Sequence, residues 1–253
     1  MGFIYIKLTW YIERILMIKI TAGILISSAI FAGQMAFAET SQQKQQTLSP
    51  EEIKLQKDKI KYKAYIPQSY TLFEAIEGDL NKDGQKDLVL IVKGTDSKQW
   101  IDDEYRGRLD RNRRGILVFL NQNGSYKKVV QNLSSFSSEN EDGGVYFAPE
   151  LSVEIAKNKL FVNYGHGRYG WWGYSFRLEN NDMRLIGYEN SSNHGPYISS
   201  ETSVNLLTGK KLYRKNMNED DEENPRFKET WSKVSLAPIY LSKIKDFDEL
   251  LVD

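Results

Sequence analysis

The sequence predicts an all-β domain: an incomplete β-propeller-like meander or a twisted antiparallel sandwich of short strands, with short terminal helices. Three observations carry this expectation. Short runs rich in apolar and β-branched residues follow one another: "YTLFEAIEGDL", "DLVLIV", "GILVFLN", "SYKKVVQNL", "LSVEIA", "KLFVNYG", "GYSFRLEN" and "DMRLIGYE". The joints between them are turn chemistry, as at Asn123-Gly124, Asp142-Gly143-Gly144, Lys157-Asn158 and Asn180-Asn181-Asp182. No fixed period of the kind a full propeller carries runs through them.

Taken in order, the chain opens with a segment that reads as a targeting signal. Residues 17–38 hold a positive start at Lys19, an apolar stretch from Ile20 to Phe31 and a small-x-small site at Ala36-Phe37-Ala38. These are the three parts of a secretory signal peptide, cleaved before Glu39. On this reading Met17 is the expected start, with residues 1–16 as an upstream addition. Lys7, Glu13, Arg14 and Lys19 interrupt the apolar sequence, so no uninterrupted span of ~20 apolar residues forms an anchor. The expected location is periplasmic or secreted, without membrane insertion after cleavage.

Residues 39–60 read as a Gln-rich tether and one short helix. Ser49 is placed to cap that helix, Pro50 sits at its first position, two glutamates follow, and Pro67 marks its end. Residues 61–253 form the single β domain. Two charge-dense segments, 94–115 and 214–229, read as solvated excursions. A second short helix is expected from Lys245 onward.

Composition narrows the function classes. The 253-residue chain has no cysteine, which excludes disulfides, zinc–thiolate sites, thiol catalysis and a lipid-anchoring cysteine. Its 34 basic and 34 acidic residues balance, and the chain stays close to neutral once residues 1–38 are removed. Nothing in that balance points to nucleic acid or an anionic membrane. The motifs G-x-S-x-G, H-E-x-x-H and the phosphate loop do not occur, and the two histidines, His166 and His194, lie in glycine-flanked segments. The expectation is a non-enzymatic protein.

Two segments carry chemistry. Residues 79–87, "DLNKDGQKD", have the spacing D-x-N-x-D-G-x-x-D. The expected ligands are the side chains of Asp79, Asn81, Asp83 and Asp87 and the backbone carbonyl of Gln85, with Gly84 allowing the turn around the ion. All-oxygen ligation at this spacing suits Ca²⁺ better than Mg²⁺. Position 12 is Leu90 rather than glutamate, and "LVLIV" follows, so the site is strand–loop–strand with a structural role. The alternative is an Asx-rich turn without an ion.

The second segment, "NYGHGRYGWWGYSF", mixes glycines with aromatic residues. Its candidates for partner contact are His166, Arg168, Tyr169 and Trp171, whereas Trp172, Tyr174 and Phe176 alternate as a core face. "NSSNHGPY", 190–197, reads as a second loop beside it.

These segments in order, from "GDLNKDGQKDLVLIV" through "GILVFLNQNGSY", "GGVYFAPELSVEI" and "SFRLENNDMRLIGYE" to "TSVNLLTGK", resemble a bacterial family of exported β-proteins with an FG-GAP-like calcium loop. The resemblance covers roughly residues 64–212. The arrangement is also similar to calcium-binding, propeller-like periplasmic inhibitors of lysozyme-type glycosidases. It implies a stoichiometric protein inhibitor or toxin-immunity protein whose partner is a cell-wall hydrolase or secreted toxin. Such a protein inserts donors, here Arg168 and His166 with Tyr169, between two catalytic carboxylates. The alternative is an adhesion or carbohydrate-binding module, with Trp171 and Trp172 as its platform.

The processing expectation is testable directly. N-terminal sequencing of exported protein should begin at Glu39; a mature chain that retains Met17 would overturn it.

Overall fold

The computed structural model describes residues 48–143, 146–218 and 224–252, so the signal peptide and most of the tether fall outside the described residues. Among the described residues one α-helix, α1 (Pro50–Lys61), precedes fifteen strands. Antiparallel β1 (Tyr70–Gly78), β2 (Asp87–Gly94), β5 (Arg114–Gln122) and β6 (Ser125–Phe136) form the first sheet in the order β1-β2-β5-β6. The second sheet is an antiparallel meander of seven strands. In chain order they are β9 (Glu150–Ala156), β10 (Lys159–Gly165), β11 (Gly170–Glu179), β12 (Asp182–His194), β13 (Tyr197–Asn205), β14 (Lys210–Asn216) and β15 (Phe227–Lys233). Two small hairpins, β3–β4 (Trp100–Asp103, Gly107–Asp110) and β7–β8 (Asp142–Gly143, Tyr146–Phe147), lie outside both sheets.

The two large sheets face each other, so the architecture is the twisted sandwich rather than a radial set of blades. Val89, Ile91, Ile116, Val118, Val130 and Phe136 of the first sheet meet Val153, Leu160, Val162, Tyr164, Tyr174, Phe176, Met183 and Leu185 of the second. The other face of the first sheet is also covered. Leu72, Leu88, Leu90, Val92, Leu117 and Phe119 pack with Tyr62 and with Leu55, Tyr65 and Ile66 from α1 and the turn after it. Burial on both faces explains why "LVLIV" is a continuous apolar run instead of an alternating one.

Closure differs at the two sides. On one, β1 and β9 approach so closely that a Cβ on Gly78 would lie 2.6 Å from Ile155 Cγ2. On the other, the C-terminal tail fills the gap between β6 and β12. Ile239 C=O accepts from Leu185 N–H at 2.8 Å, and Asn132 Nδ2 donates to the carbonyls of Leu241 and Ile244. Phe247 then enters the core, stacked on Phe136 with centroids 4.9 Å apart and edge-on to Tyr174 at 5.1 Å. The C-terminal helix expected from Lys245 is not formed. The only helical turn there among the described residues is a 3-10 turn at Leu241–Lys243, because Leu241, Ile244 and Phe247 must reach different parts of the gap.

Other expectations need correction. Segment 94–115 holds the β3–β4 hairpin with Leu109 buried, and Arg108 lies over Trp100 at 5.0 Å. Segment 214–229 is strand at both ends, because β14 runs to Asn216 and β15 begins at Phe227; residues 219–223 lie outside the described residues. "NSSNHGPY" is the end of β12, a tight turn and the start of β13, not a free loop. The core of the second sheet draws mainly on β9 to β12; among the described residues of β13, β14 and β15, Val204 is the one buried apolar side chain.

α1 belongs to the β domain rather than to the tether. Ser49 makes the capping box with Glu52, as its position predicts. At the C-terminal end, Lys61 Nζ donates to Glu77 Oε1 at 2.6 Å and the Tyr62 hydroxyl donates to the same carboxylate. Lys61 first, then the Tyr62 hydroxyl, holds the Glu77 carboxyl below the ordinary glutamate range. Burial, then Glu77, pushes the Tyr62 hydroxyl up to about 12.

The signs follow. A lowered carboxyl contributes stability that is present above the ordinary glutamate pKa and is lost as pH falls through its folded value. A raised tyrosine contributes below about 10 and loses that contribution as pH rises towards about 12. The difference in unfolding free energy between wild type and Glu77→Gln should therefore shrink as pH falls below ~4, measured by denaturant titration across pH. A difference that does not change with pH would exclude the coupling.

Candidate functional site

The loop between β1 and β2 is built by its own side chains. Asp79 Oδ1 accepts from the N–H groups of Asn81 (3.2 Å) and Lys82 (2.6 Å), and its Oδ2 accepts from Gly84 N–H at 3.1 Å. Asn81 Oδ1 accepts from Asp83 N–H at 2.9 Å, and Asp83 Oδ1 from Gln85 N–H at 2.7 Å. Gly84 sits at φ +81°, in the left-handed region that a side chain would strain. The expected spacing thus produces consecutive Asx turns that curl the chain around the oxygens of residues 79, 81 and 83.

Asp87 does something different. It is fully buried, and its two oxygens accept from Leu80 N–H at 2.7 Å and Asn121 N–H at 2.8 Å. Burial pushes its carboxyl up, the N–H groups of Asn121 and Leu80 oppose this, and the charges of Asp83 and Asp79 add to the rise. Gln85 Oε1 accepts from Asn123 N–H at 3.2 Å, and Asn158 Nδ2 donates to Asp79 C=O at 3.0 Å. The loop therefore ties together the β5–β6 turn and the β9–β10 turn, one from each sheet.

Among the described residues no three His, Asp or Glu side chains gather as a metal cluster; the third carboxylate of this loop turns to Leu80 and Asn121. The remaining donors are two carboxylates (Asp79, Asp83), the Asn81 amide oxygen and the Gln85 carbonyl. Each carboxylate oxygen has more than one acceptor direction, so the turn bonds do not by themselves use up the acceptor capacity of these oxygens.

The aromatic–glycine hairpin lies at the other end of the sandwich, a full length of β10 (~20 Å) from the Lys157-Asn158 turn. His166 N–H donates to Gly170 C=O at 2.9 Å and Tyr169 N–H to His166 C=O at 3.0 Å, closing a single 3-10 turn, Gly167–Tyr169. Gly170 is at φ +110°, and a Cβ there would lie 1.8 Å from Ser191 C=O, so this end of the hairpin requires glycine. Arg168 and Tyr169 are exposed at the tip, and the His166 ring meets Tyr169 at 5.1 Å. Trp172 turns inward and stacks on Tyr164 at 5.3 Å, while Tyr174 and Phe176 are buried, as the alternation predicts. Trp171 is on the opposite, outer face, with Gly165 and Ser191 as its cross-strand neighbours. His166, Arg168, Tyr169 and Trp171 thus share one end of the sandwich, well apart from the 79–87 loop.

Sequence reasoning missed a buried ionic cluster. Lys93 and Arg114 are cross-strand partners on β2 and β5, and both are buried. Lys93 Nζ pairs with Asp110 at 2.7 Å and with Glu139, and Arg111 pairs with Glu141 at 2.9 Å. Arg114 Nε donates to Ser137 C=O at 2.9 Å, and its guanidinium lies over Phe73 at 5.0 Å. Asp110, Glu139 and Glu141 read as solvated charges because their partners are distant in sequence. The one available hint was a lysine directly closing the apolar run 88–92.

Comparison with family models, curated proteins and solved structures finds no match. The site is therefore interpreted from its own chemistry. No helix among the described residues is long and apolar enough to cross a membrane.

Asp87 and Asp83 should separate by mutation. Asp87→Ala leaves two inward N–H groups without an acceptor and should cost ~2–5 kcal/mol of stability. Asp83→Ala, on the exposed arc, should cost under ~1 kcal/mol in chelator. Denaturant unfolding in chelator measures both, and equal losses would refute the division of roles.

Proposed function

We propose that this protein is an exported, non-enzymatic calcium-binding protein that neutralises a peptidoglycan hydrolase, as a lysozyme inhibitor or toxin-immunity protein of the FG-GAP-like type. The observation that carries the reading is the hairpin tip. Arg168 and Tyr169 are exposed beside His166 on a short turn whose base is fixed by Gly170 and by the Tyr164–Trp172 stack. A planar guanidinium presented from rigid strands suits a bidentate pair with a carboxylate in an acidic cleft. Calcium at the far end would be held by Asp79, Asn81, Asp83 and the Gln85 carbonyl, joining the two sheets rather than touching the partner. Its effect would replace the disulfide that a cysteine-free exported protein lacks.

A second reading, a carbohydrate-binding or adhesion module, is favoured by Trp171. Its register places it on the face opposite Trp172, between Gly165 and Ser191, and it is partly exposed.

The deciding assay titrates purified protein against a panel of peptidoglycan hydrolases. Inhibition at micromolar protein is expected, and Arg168→Ala should weaken it by ~2–5 kcal/mol with little change in stability. Trp172→Ala should instead lower stability by ~3 kcal/mol. If no hydrolase is slowed, the inhibitor reading fails; glycan binding abolished by Trp171→Ala would establish the second reading. Saturating Ca²⁺ should stabilise the wild type by ~3 kcal/mol at a hundredfold excess over Kd, and Asp83→Ala only weakly. Identical melting in Ca²⁺ and chelator would remove the calcium site.

A further inference from the structure

The second sheet ends on a strand that nothing covers among the described residues. β15 is the terminal strand beyond β14, and every residue from Lys228 to Lys233 is exposed. Such an edge presents a row of backbone N–H and C=O groups with no strand beside it. Exposed apolar side chains concentrate nearby: Leu207, Tyr213, Met217, Trp231 and Leu236 all belong to β13–β15 or to their immediate connections. Trp231 is 62% exposed, an unusual position for a tryptophan on a sheet edge.

Edge strands are normally guarded against pairing by charge, and β15 carries Lys228, Glu229 and Lys233. Here the charges select a register instead of forbidding one. In a two-fold pairing that continues the sheet, residues of like parity face each other across the axis. Centring the axis on Glu229 sets two carboxylates opposite each other. Centring it on Thr230 sets Glu229 against Trp231 and Phe227 against Lys233. Centring it on Trp231 sets Trp231 against its own copy, Thr230 against Ser232, and Glu229 against Lys233 twice over. Only this last register joins an aromatic pair, a hydroxyl pair and two opposite-charge pairs, the combinations that stabilise neighbouring strands.

We infer that β15 pairs antiparallel with β15 of a second copy about a two-fold axis at Trp231, extending the seven-stranded sheet across a homodimer. The wing β13–β15, whose side chains other than Val204 and Asn216 stay at least partly exposed, becomes the bridge between two sandwiches. Because the rotation axis is perpendicular to the sheet, the two aromatic–glycine hairpins face opposite directions and both remain accessible. A contact of one strand from each copy is small, so association is expected in the micromolar range.

Sedimentation velocity up to ~100 µM tests the assembly. The wild type should shift towards twice the monomer mass. Lys233→Glu, which opposes Glu229 in both pairs, should raise Kd ~10-fold or more, and the exchange Glu229→Lys with Lys233→Glu should restore it to within ~3-fold. The absence of cysteine gives a second readout. Trp231→Cys places two thiols at the axis, within the 4.4–6.8 Å Cα separation a disulfide spans, and should cross-link on mild oxidation. Glu229→Cys, ~14 Å from its own copy in this register, should not. A wild type that stays monomeric at ~100 µM overturns the proposal. So does a charge exchange no better than the single variant, or cross-linking through residue 229 in preference to 231.

Discussion

Two buried charges at the ends of one strand set the frame for everything else. β2 is apolar on both faces, so its own pattern does not say which face meets α1 and which meets the second sheet. A one-residue slip would exchange Val89 and Ile91 for Leu88 and Leu90 and leave the core chemically unchanged. Asp87 and Lys93 remove that freedom. Asp87 is satisfied only where Leu80 and Asn121 present N–H groups, and Lys93 only where Asp110 and Glu139 lie within reach. A shifted strand would leave a buried carboxylate and a buried ammonium without partners, a penalty of several kcal/mol for each. The register of β2 therefore fixes β1 and β5 beside it, and through Asn121 it fixes the turn on which the 79–87 loop rests.

The sandwich is closed by devices local in space but remote in sequence. Gly78 against Ile155 brings β1 to β9, and Phe247 from the last residues of the chain fills the opposite gap. Phe247 touches aromatic rings of both sheets, so the tail is part of the core rather than an appendage. Tyr164 belongs to the same group. It meets Phe247 on the inner side and stacks under Trp172, so the position of the exposed hairpin depends on how well the tail is seated.

What the sequence made legible follows from where the physics is local. Ser49 with Glu52, the Asx turns at 79–85, and the inward turn of Trp172, Tyr174 and Phe176 each depend on residues a few positions apart, and all can be read directly. "YISSETSVN", "KKLYRKN" and "FKETWSK" bury a single apolar side chain, Val204, so no apolar alternation marks them as strands. The tail has leucine, isoleucine and phenylalanine at intervals of three, at Leu241, Ile244 and Phe247, a spacing compatible with a helix. In the structure that spacing serves an irregular plug. The ionic cluster around Lys93 and Arg114 joins residues up to 46 positions apart, a separation at which charge pattern alone says nothing about pairing.

The division of the second sheet into a covered part and a bare wing has a consequence for how the molecule breathes. Amide protons of β2 and of β10 and β11 reach water only when the sandwich itself comes apart, because both layers must separate to expose them. Those of β13 to β15 need only the wing to peel away from Tyr188 and its neighbours, with the core intact. Isotope exchange would therefore resolve two rates within one continuous ladder of hydrogen bonds. The boundary would fall between β12 and β13, where the register shift at Ser192/Asn193 already interrupts the pairing.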